Sequence, residues 1–336
     1  LYGRGTADDK AGIATHLAAF RAHGGRPPVG VTVFVEGEEE CGSPSLGALL
    51  AAHGAKLAAD VIVIADSDNW TAEIPALTVS LRGLADCVVE VATLDHGLHS
   101  GLWGGAVPDA LTALVRLLAT LHDDDGNVAV AGLHEAHAAP VDRDPAWVRT
   151  ESGLLDGVGE IGSGTVAQRL WAKPAITVIG IDTTAIAKAS NTLIPRARAK
   201  VSMRVAPGGD AAAHLDALCR HLEQHAPWGA RVTVTPGDIG QPYAIDATGP
   251  VYDAARAAFR EAWGSDAVDM GMGGSIPFIA EFAAAFPDAT ILVTGVEDPG
   301  TQAHSINESL HLGVLERAAL TEALLLEKLG EPGQSK

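Results

Sequence analysis

The chain has 336 residues, and at roughly 150 residues per domain that length suggests about two domains. Forty-two acidic against 23 basic residues give a formal net charge of −19, which argues against the basic footprint that nucleic acid or an anionic membrane surface requires. Hydrophobic residues make up 47%, enough for a sizeable core, and no apolar run approaches the ~18 residues of a membrane-spanning helix. Cys41, Cys87 and Cys219 are too widely spaced for a zinc knuckle or disulfide framework and suit a reducing cytoplasm. No secretory signal pattern is read at the start. The first residue is Leu1, and the sequence enters at once a Gly-rich turn, Gly3-Arg4-Gly5-Thr6-Ala7-Asp8-Asp9-Lys10, so a preceding segment is expected.

In chain order, residues 11–23 read as an amphipathic helix with Ile13, Leu17 and Phe20 on its apolar face, stopped by Gly24-Gly25. The β-branched run 29–35 reads as a buried parallel strand. An acidic burst follows, Glu36-Gly37-Glu38-Glu39-Glu40, then a helix from about Ser45 to Ala52, with Ser43 as its cap and Pro44 at its first position. A second buried strand, 60–65, ends at Asp66-Ser67-Asp68-Asn69. The alternation predicts an α/β layer with a doubly wound, mainly parallel sheet.

Near Arg82-Gly83 the pattern changes. Strands are expected at 84–92, 175–181, 197–205 and 230–235, and helices at 107–121 and 210–225, while 122–170 is left unassigned. Strand, helix, strand, strand, helix, strand is the pattern of an α+β split-βαβ layer. After Pro236-Gly237 the α/β character returns: helix 249–263, a Gly-rich turn at 271–274, helix 277–285, strand 289–294 and helix 313–329. The middle segment, 84–236, therefore reads as an insertion into a domain formed by 1–83 and 237–336.

Ligands bind at the carboxyl ends of strands in open α/β sheets. The acidic burst, Asp66 and His304 all follow expected strands, and Asp8 precedes a helix. Carboxylates with an imidazole suit Zn²⁺, Mn²⁺ or Co²⁺. Taken singly, each acid could equally be a solvated surface charge, and Asp8 a helix N-terminal charge. Crowded carboxylates raise one another's pKa unless a cation is present, a conflict that a dinuclear centre would resolve.

These motifs resemble the carnosinase-like dipeptidases, within the wider group of dinuclear metallopeptidases related to aminoacylase and carboxypeptidase G2. The resemblance runs through the Gly3–Gly12 turn, Glu36–Ser43, His99-Ser100-Gly101-Leu102-Trp103-Gly104-Gly105, Asn191–Pro195, Gly273-Gly274-Ser275-Ile276-Pro277 and Ala303-His304-Ser305-Ile306-Asn307-Glu308. It implies a small peptide substrate and two divalent ions per subunit, zinc ahead of manganese or cobalt. Asp8 would bridge the ions, with Glu40, Asp66 and His304 as further metal ligands and Glu39 as the base acting on the bridging water. The second carboxylate ligand could be Asp66 or Asp68; Asp66 is preferred because Pro75–Gly83 then falls at the family spacing. The resemblance further implies that the insertion is a lid and dimerisation domain, whose His99 would stabilise the oxyanion in the partner subunit of a homodimer. Thr192, Arg204, Gly274 and Ser275 would bind substrate, Arg204 through the free carboxylate. Blander readings stand beside these: His99 as a turn cap, Arg204 as a salt-bridge partner.

His96, His134, His137, His214, His221, His225 and His311 match no motif and read mostly as surface groups. The family's His-x-Asp ligand motif would precede Leu1, so the chain as given is expected to bind metal weakly and to fold poorly as a free monomer. The alternatives to a dipeptidase are an N-acyl-amino-acid deacylase or carboxypeptidase of the same group, and a non-catalytic binding protein.

Overall fold

The computed structural model describes residues 1–137, 141–274 and 277–331. The elements in chain order are α1 (Lys10–Ala22), α2 (Leu46–Leu57), β1 (Val61–Ala65), β2 (Ala76–Leu81), β3 (Gly83–Ala92), β4 (Leu98–His99), α3 (Ser100–Trp103), α4 (Ala110–Ala119), α5 (Pro145–Ser152), β5 (Ala175–Asp182), β6 (Thr192–Leu193), β7 (Arg196–Val205), α6 (Ala211–Gln224), β8 (Arg231–Gly240), β9 (Tyr243–Ala244), α7 (Pro250–Trp263), β10 (Val268–Met272), α8 (Pro277–Ala285), β11 (Thr290–Thr294) and α9 (Leu312–Leu329).

The α/β part is built on parallel pairs. β1 runs parallel to β11, with Ala65 opposite Thr294, and β10 runs parallel to β2, which pairs antiparallel with β9. Ile64, Leu81, Ile279, Phe282, Ile291 and Val293 share one core; Leu77, Tyr252, Phe259 and Leu292 share another. Helix α1 lies close against β1. A Cβ on Gly12 would stand 2.5 Å from the Ala65 carbonyl oxygen, so only glycine permits the approach.

The middle segment forms a four-stranded antiparallel sheet in the order β5-β7-β3-β8. Alternation on β3 buries Ala85, Cys87, Val89 and Val91, and on β7 Ala197, Ala199, Val201 and Met203. Helix α4 meets that face through Ala110, Ala113, Leu114 and Leu117, spaced for one helical stripe, and α6 through Leu215, Leu218 and Leu222. His214 and His221 are buried on α6, a correction to their reading as surface groups. The His214 ring accepts from the His134 amide and pairs with the Asp210 carbonyl, and the His221 ring meets Thr120.

Other expectations change. Residues 29–35 form no strand: among the described residues the segment pairs with no neighbour, and Val31, Val33 and Val35 are exposed. Its aromatic residue is anchored, Phe34 stacking on Phe278 and meeting Phe282 at a tilt, both on α8. Apolar β-branched residues favour an extended backbone, but a strand also needs a hydrogen-bonded neighbour. Ser43 does not cap α2. Gly42 and Ser43 have positive φ and turn the chain, Ser45 takes the N-cap position, and the Ser45 hydroxyl is engaged by Glu38. Pro236-Gly237 does not end a strand. Both lie within β8, at a bulge opposite Asp86 and Cys87 where a side chain on Gly237 would collide with Asp86. Strands β2 and β10 and helix α5 were not anticipated.

Leu117 is fully buried between α4 and the antiparallel sheet. Leu117→Ala should cost about 2–5 kcal/mol, read as a lower urea midpoint with an unchanged slope.

Candidate metal centre

The cluster is assembled from three loops. The first is the Gly-rich turn before α1. Its backbone N–H groups at Gly5, Ala7 and Asp8 donate to the carboxylate of Glu308, at 2.9, 3.1 and 3.2 Å. Glu308 is 1% exposed and also takes a 2.8 Å bond from Arg4 Nη1. Burial alone would push this carboxyl up; the three amides and the guanidinium instead hold it down at about 2. Glu308 thus stays ionised and ties the turn to the loop that carries His304. Asp9, not Asp8, caps α1, accepting from the Gly12 amide at 2.9 Å.

The second loop is the acidic burst. Glu39–Cys41 form a single 3₁₀ turn that leaves Glu39 half-buried and Glu40 projecting. The third is the loop after β11, where His304 adopts φ 62, a left-handed conformation costing on the order of 1–3 kcal/mol in a non-glycine residue. The turn holds it there through Ser305 N to Gln302 O and Ser309 N to Thr301 O.

Asp8, Glu40 and His304 converge. His304 Nε2 lies 2.9 Å from Asp8 Oδ2 and 3.0 Å from Glu40 Oε2, and one ligand atom from each lies within 4.8 Å of the others. Two carboxylate oxygens and one imidazole nitrogen at such spacing fit a divalent ion with ligand bonds of ~2.0–2.2 Å. Arg4 borders the group, donating to Glu40 Oε1 at 2.8 Å.

Around this core the carboxylates are crowded. Asp8 is raised by burial and by Glu40, against the pull of His304 and Arg4. Glu39 is raised by burial, then by Glu40 and Asp8. Asp66, at the end of β1, is pushed up to about 7 by burial and by Glu39, Asp8 and Glu40. Asp9 reaches about 8 through burial and Asp66. Glu297 and Asp68 interact as a pair, and both are raised, each first by burial. Asp66 therefore stands within electrostatic reach of the cluster but outside its compact group.

The remaining candidates lie elsewhere. His99 and Thr192 face each other across the β4–β6 ribbon, both exposed. His99 Nδ1 accepts from the Gly101 amide at 3.1 Å, so it caps a turn and the neutral ring carries its proton on Nε2. Arg204 sits on β7, half-buried, its charge disfavoured by burial. Its neighbour Arg82 is held down at about 10 by burial and by Arg204, and donates to the Gly273 carbonyl at 3.1 Å, beside Gly274. Ser275 lies outside the described residues. Arg4, Glu297 and Glu308 were given no role from the sequence. Arg4 and Glu308 stood inside quoted motifs, and Glu297 follows β11 as Asp66 follows β1.

The fold is α/β, and its Asp8, Glu40 and His304 cluster could hold a divalent ion. The family model for peptidase family M20/M25/M40 matches residues 1–328, and the chain belongs to that family. It is 36% identical over 339 residues to the cysteinylglycine-S-conjugate dipeptidase of Corynebacterium striatum, covering 98% of this chain and 74% of that protein. Among solved structures it is similar to human carnosine dipeptidase 1, with TM-score 0.79, 25% identity, and coverage of 98% of this chain and 73% of that one. It also shares the fold of the dipeptidase Dug1p of Saccharomyces cerevisiae, with TM-score 0.82, 23% identity, and coverage of 98% and 73%.

Glu308→Gln keeps the shape but removes the charge that faces three amides and Arg4. It should cost about 2–4 kcal/mol by chemical denaturation. It should also weaken Zn²⁺ binding by roughly 10–100-fold in calorimetry, as the loss of an outer partner does. Unchanged values would show that the turn does not depend on Glu308.

Proposed function

We propose that this chain hydrolyses the peptide bond of dipeptides or short peptides at a centre of two divalent ions, zinc ahead of manganese or cobalt. The observation that carries the reading is the convergence of Asp8, Glu40 and His304 on one point, with Glu39 beside them. The names of the relatives, a cysteinylglycine-S-conjugate dipeptidase and a carnosine dipeptidase, support the substrate class. In this reading Asp8, Glu40 and His304 hold one ion, and Asp8 and Asp66 face the second. Bound there, the ions would polarise the scissile carbonyl and acidify water.

The chain's own residues supply the rest. Glu39 takes the proton from the attacking water and passes it to the leaving amine; its raised affinity for protons suits a general base better than an ordinary surface carboxylate would. His99 offers Nε2–H to the oxyanion, its tautomer set by the Gly101 amide. The family resemblance assigns His99, exposed on the β4–β6 ribbon, to the partner subunit's site in a homodimer. Arg204, with Thr192, Gly274 and Ser275, holds the substrate carboxylate; a planar guanidinium suits that group. The division of labour is a catalytic domain of 1–83 and 237–336 and a lid of 84–236, although β8 continues to Gly240. No helix among the described residues is long and apolar enough to cross a membrane, and the reading places the protein in the cytoplasm.

The test follows an unblocked dipeptide and an N-acetylated amino acid, each with and without a chelator. Chelator-sensitive cleavage of the dipeptide is expected. Cleavage of the acylated compound alone would make the protein a deacylase, and cleavage of neither, with metal bound, would leave a binding protein. Glu39→Gln should lower kcat by roughly 10²–10⁴-fold while metal binding persists; unchanged turnover would refute its role as base.

A further inference from the structure

The chain leaving β10 passes close to Arg82, a residue that the reaction described above does not use. Arg82 follows β2 and is 9% exposed. It is tied to this segment at two points. Its backbone N–H donates to the Met272 carbonyl at 3.2 Å, and Nε donates to the Gly273 carbonyl at 3.1 Å. Nη1 reaches the Lys173 carbonyl at 3.4 Å. A Cβ on Gly273 would stand 2.9 Å from Arg82 Nη2 and 3.1 Å from the Leu170 carbonyl oxygen, so the segment is threaded between the guanidinium and the turn of residues 168–172. Gly273 also lines a cleft that Asp68 and Asn69, beyond the end of β1, help to wall.

The bond from Arg82 fixes a peptide plane. The Gly273–Gly274 peptide is trans, so its carbonyl and its N–H point in opposite directions. With the Gly273 carbonyl held by Arg82, the Gly274 N–H is turned away from Arg82. That N–H meets no acceptor among the described residues, and Gly274 is partly exposed. A planar guanidinium suits the task, because its fork reaches the carbonyls of two segments, Gly273 and Lys173, at once. The charge that acts on Arg82 is that of another cation, Arg204, so the local field favours an anion.

We infer that Arg82 is a positioning residue for the substrate-carboxylate seat: by holding the Gly273 carbonyl it aims the Gly274 N–H at the carboxylate that Arg204 receives. The inference rests on the peptidase reading and deepens it, because it explains how a backbone donor of the seat is oriented.

The test measures binding of Ala-Gly and of Ala-Gly amide to metal-loaded Glu39→Gln protein by calorimetry. The free acid should bind more tightly than the amide. Adding Arg82→Met should shrink that preference roughly tenfold, the worth of one charge-assisted hydrogen bond, while affinity for the amide stays within about twofold. A merely structural role for Arg82 would weaken both peptides alike and leave the preference intact. Gly273→Ala keeps both arginines and crowds only their contact with the segment. It should reduce the preference about threefold, and it serves if Arg82→Met does not fold. A preference that survives both substitutions, or parity of acid and amide in the parent protein, would overturn the assignment. Turnover of Ala-Gly by the unsubstituted protein tests the peptidase reading separately. Cleavage with a preference indifferent to Arg82 removes only this role; an Arg82-dependent preference without any cleavage removes only the reaction.

Discussion

One buried carboxylate sets the geometry of the centre. Glu308 has no access to solvent, so its charge must be met by the protein, and it is met by three backbone amides and Arg4. Those amides belong to the turn that presents Asp8, and Glu308 itself closes the loop that presents His304. The two ligands come from opposite ends of the chain, and a single ionised group holds both loops. A long-range contact of this kind offsets the loop-closure entropy of joining residues some 300 apart in sequence. It also accounts for the unusual backbone at His304, which a free loop would relax.

The second constraint is charge. Asp8, Asp9, Glu39, Asp66 and Glu297 all hold their protons more tightly than ordinary carboxylates, each first through burial and then through its neighbours. His304 and Arg4 offset this in part at Asp8, and His16 in part at Asp9. Crowded carboxylates with too few cations are costly for the fold alone and well suited to divalent ions, whose charge reverses the balance. The same loops thus store a conflict that ligand binding would relieve.

Much of this was legible in the sequence. The apolar runs 61–65 and 290–294 are strands because each has a parallel partner, and the stripes of α4 and α6 follow helical spacing. The run 29–35 has the same composition but no partner, and composition cannot report a hydrogen-bonded neighbour. β10 was hidden because Asp269 and Gly271 are poor strand residues, tolerated where a bulge interrupts the pairing with β2. Of the candidate site, Asp8, Glu40 and His304 stood in motifs legible in the sequence, and they meet because Glu308 and Arg4 join the loops that carry them. Glu308 and Arg4 escaped because their role is to satisfy backbone and charge, which appears only when the loops are placed together.

The central claim is that Asp8, Glu40 and His304 form a metal site, and the most direct measurement is a Zn²⁺ titration by calorimetry. His304→Ala should weaken binding by roughly 100-fold or more, since losing a ligand costs more than losing the outer partner of one. The surface variant His96→Ala should bind as the unsubstituted protein does. Equal affinity in His304→Ala would contradict the account.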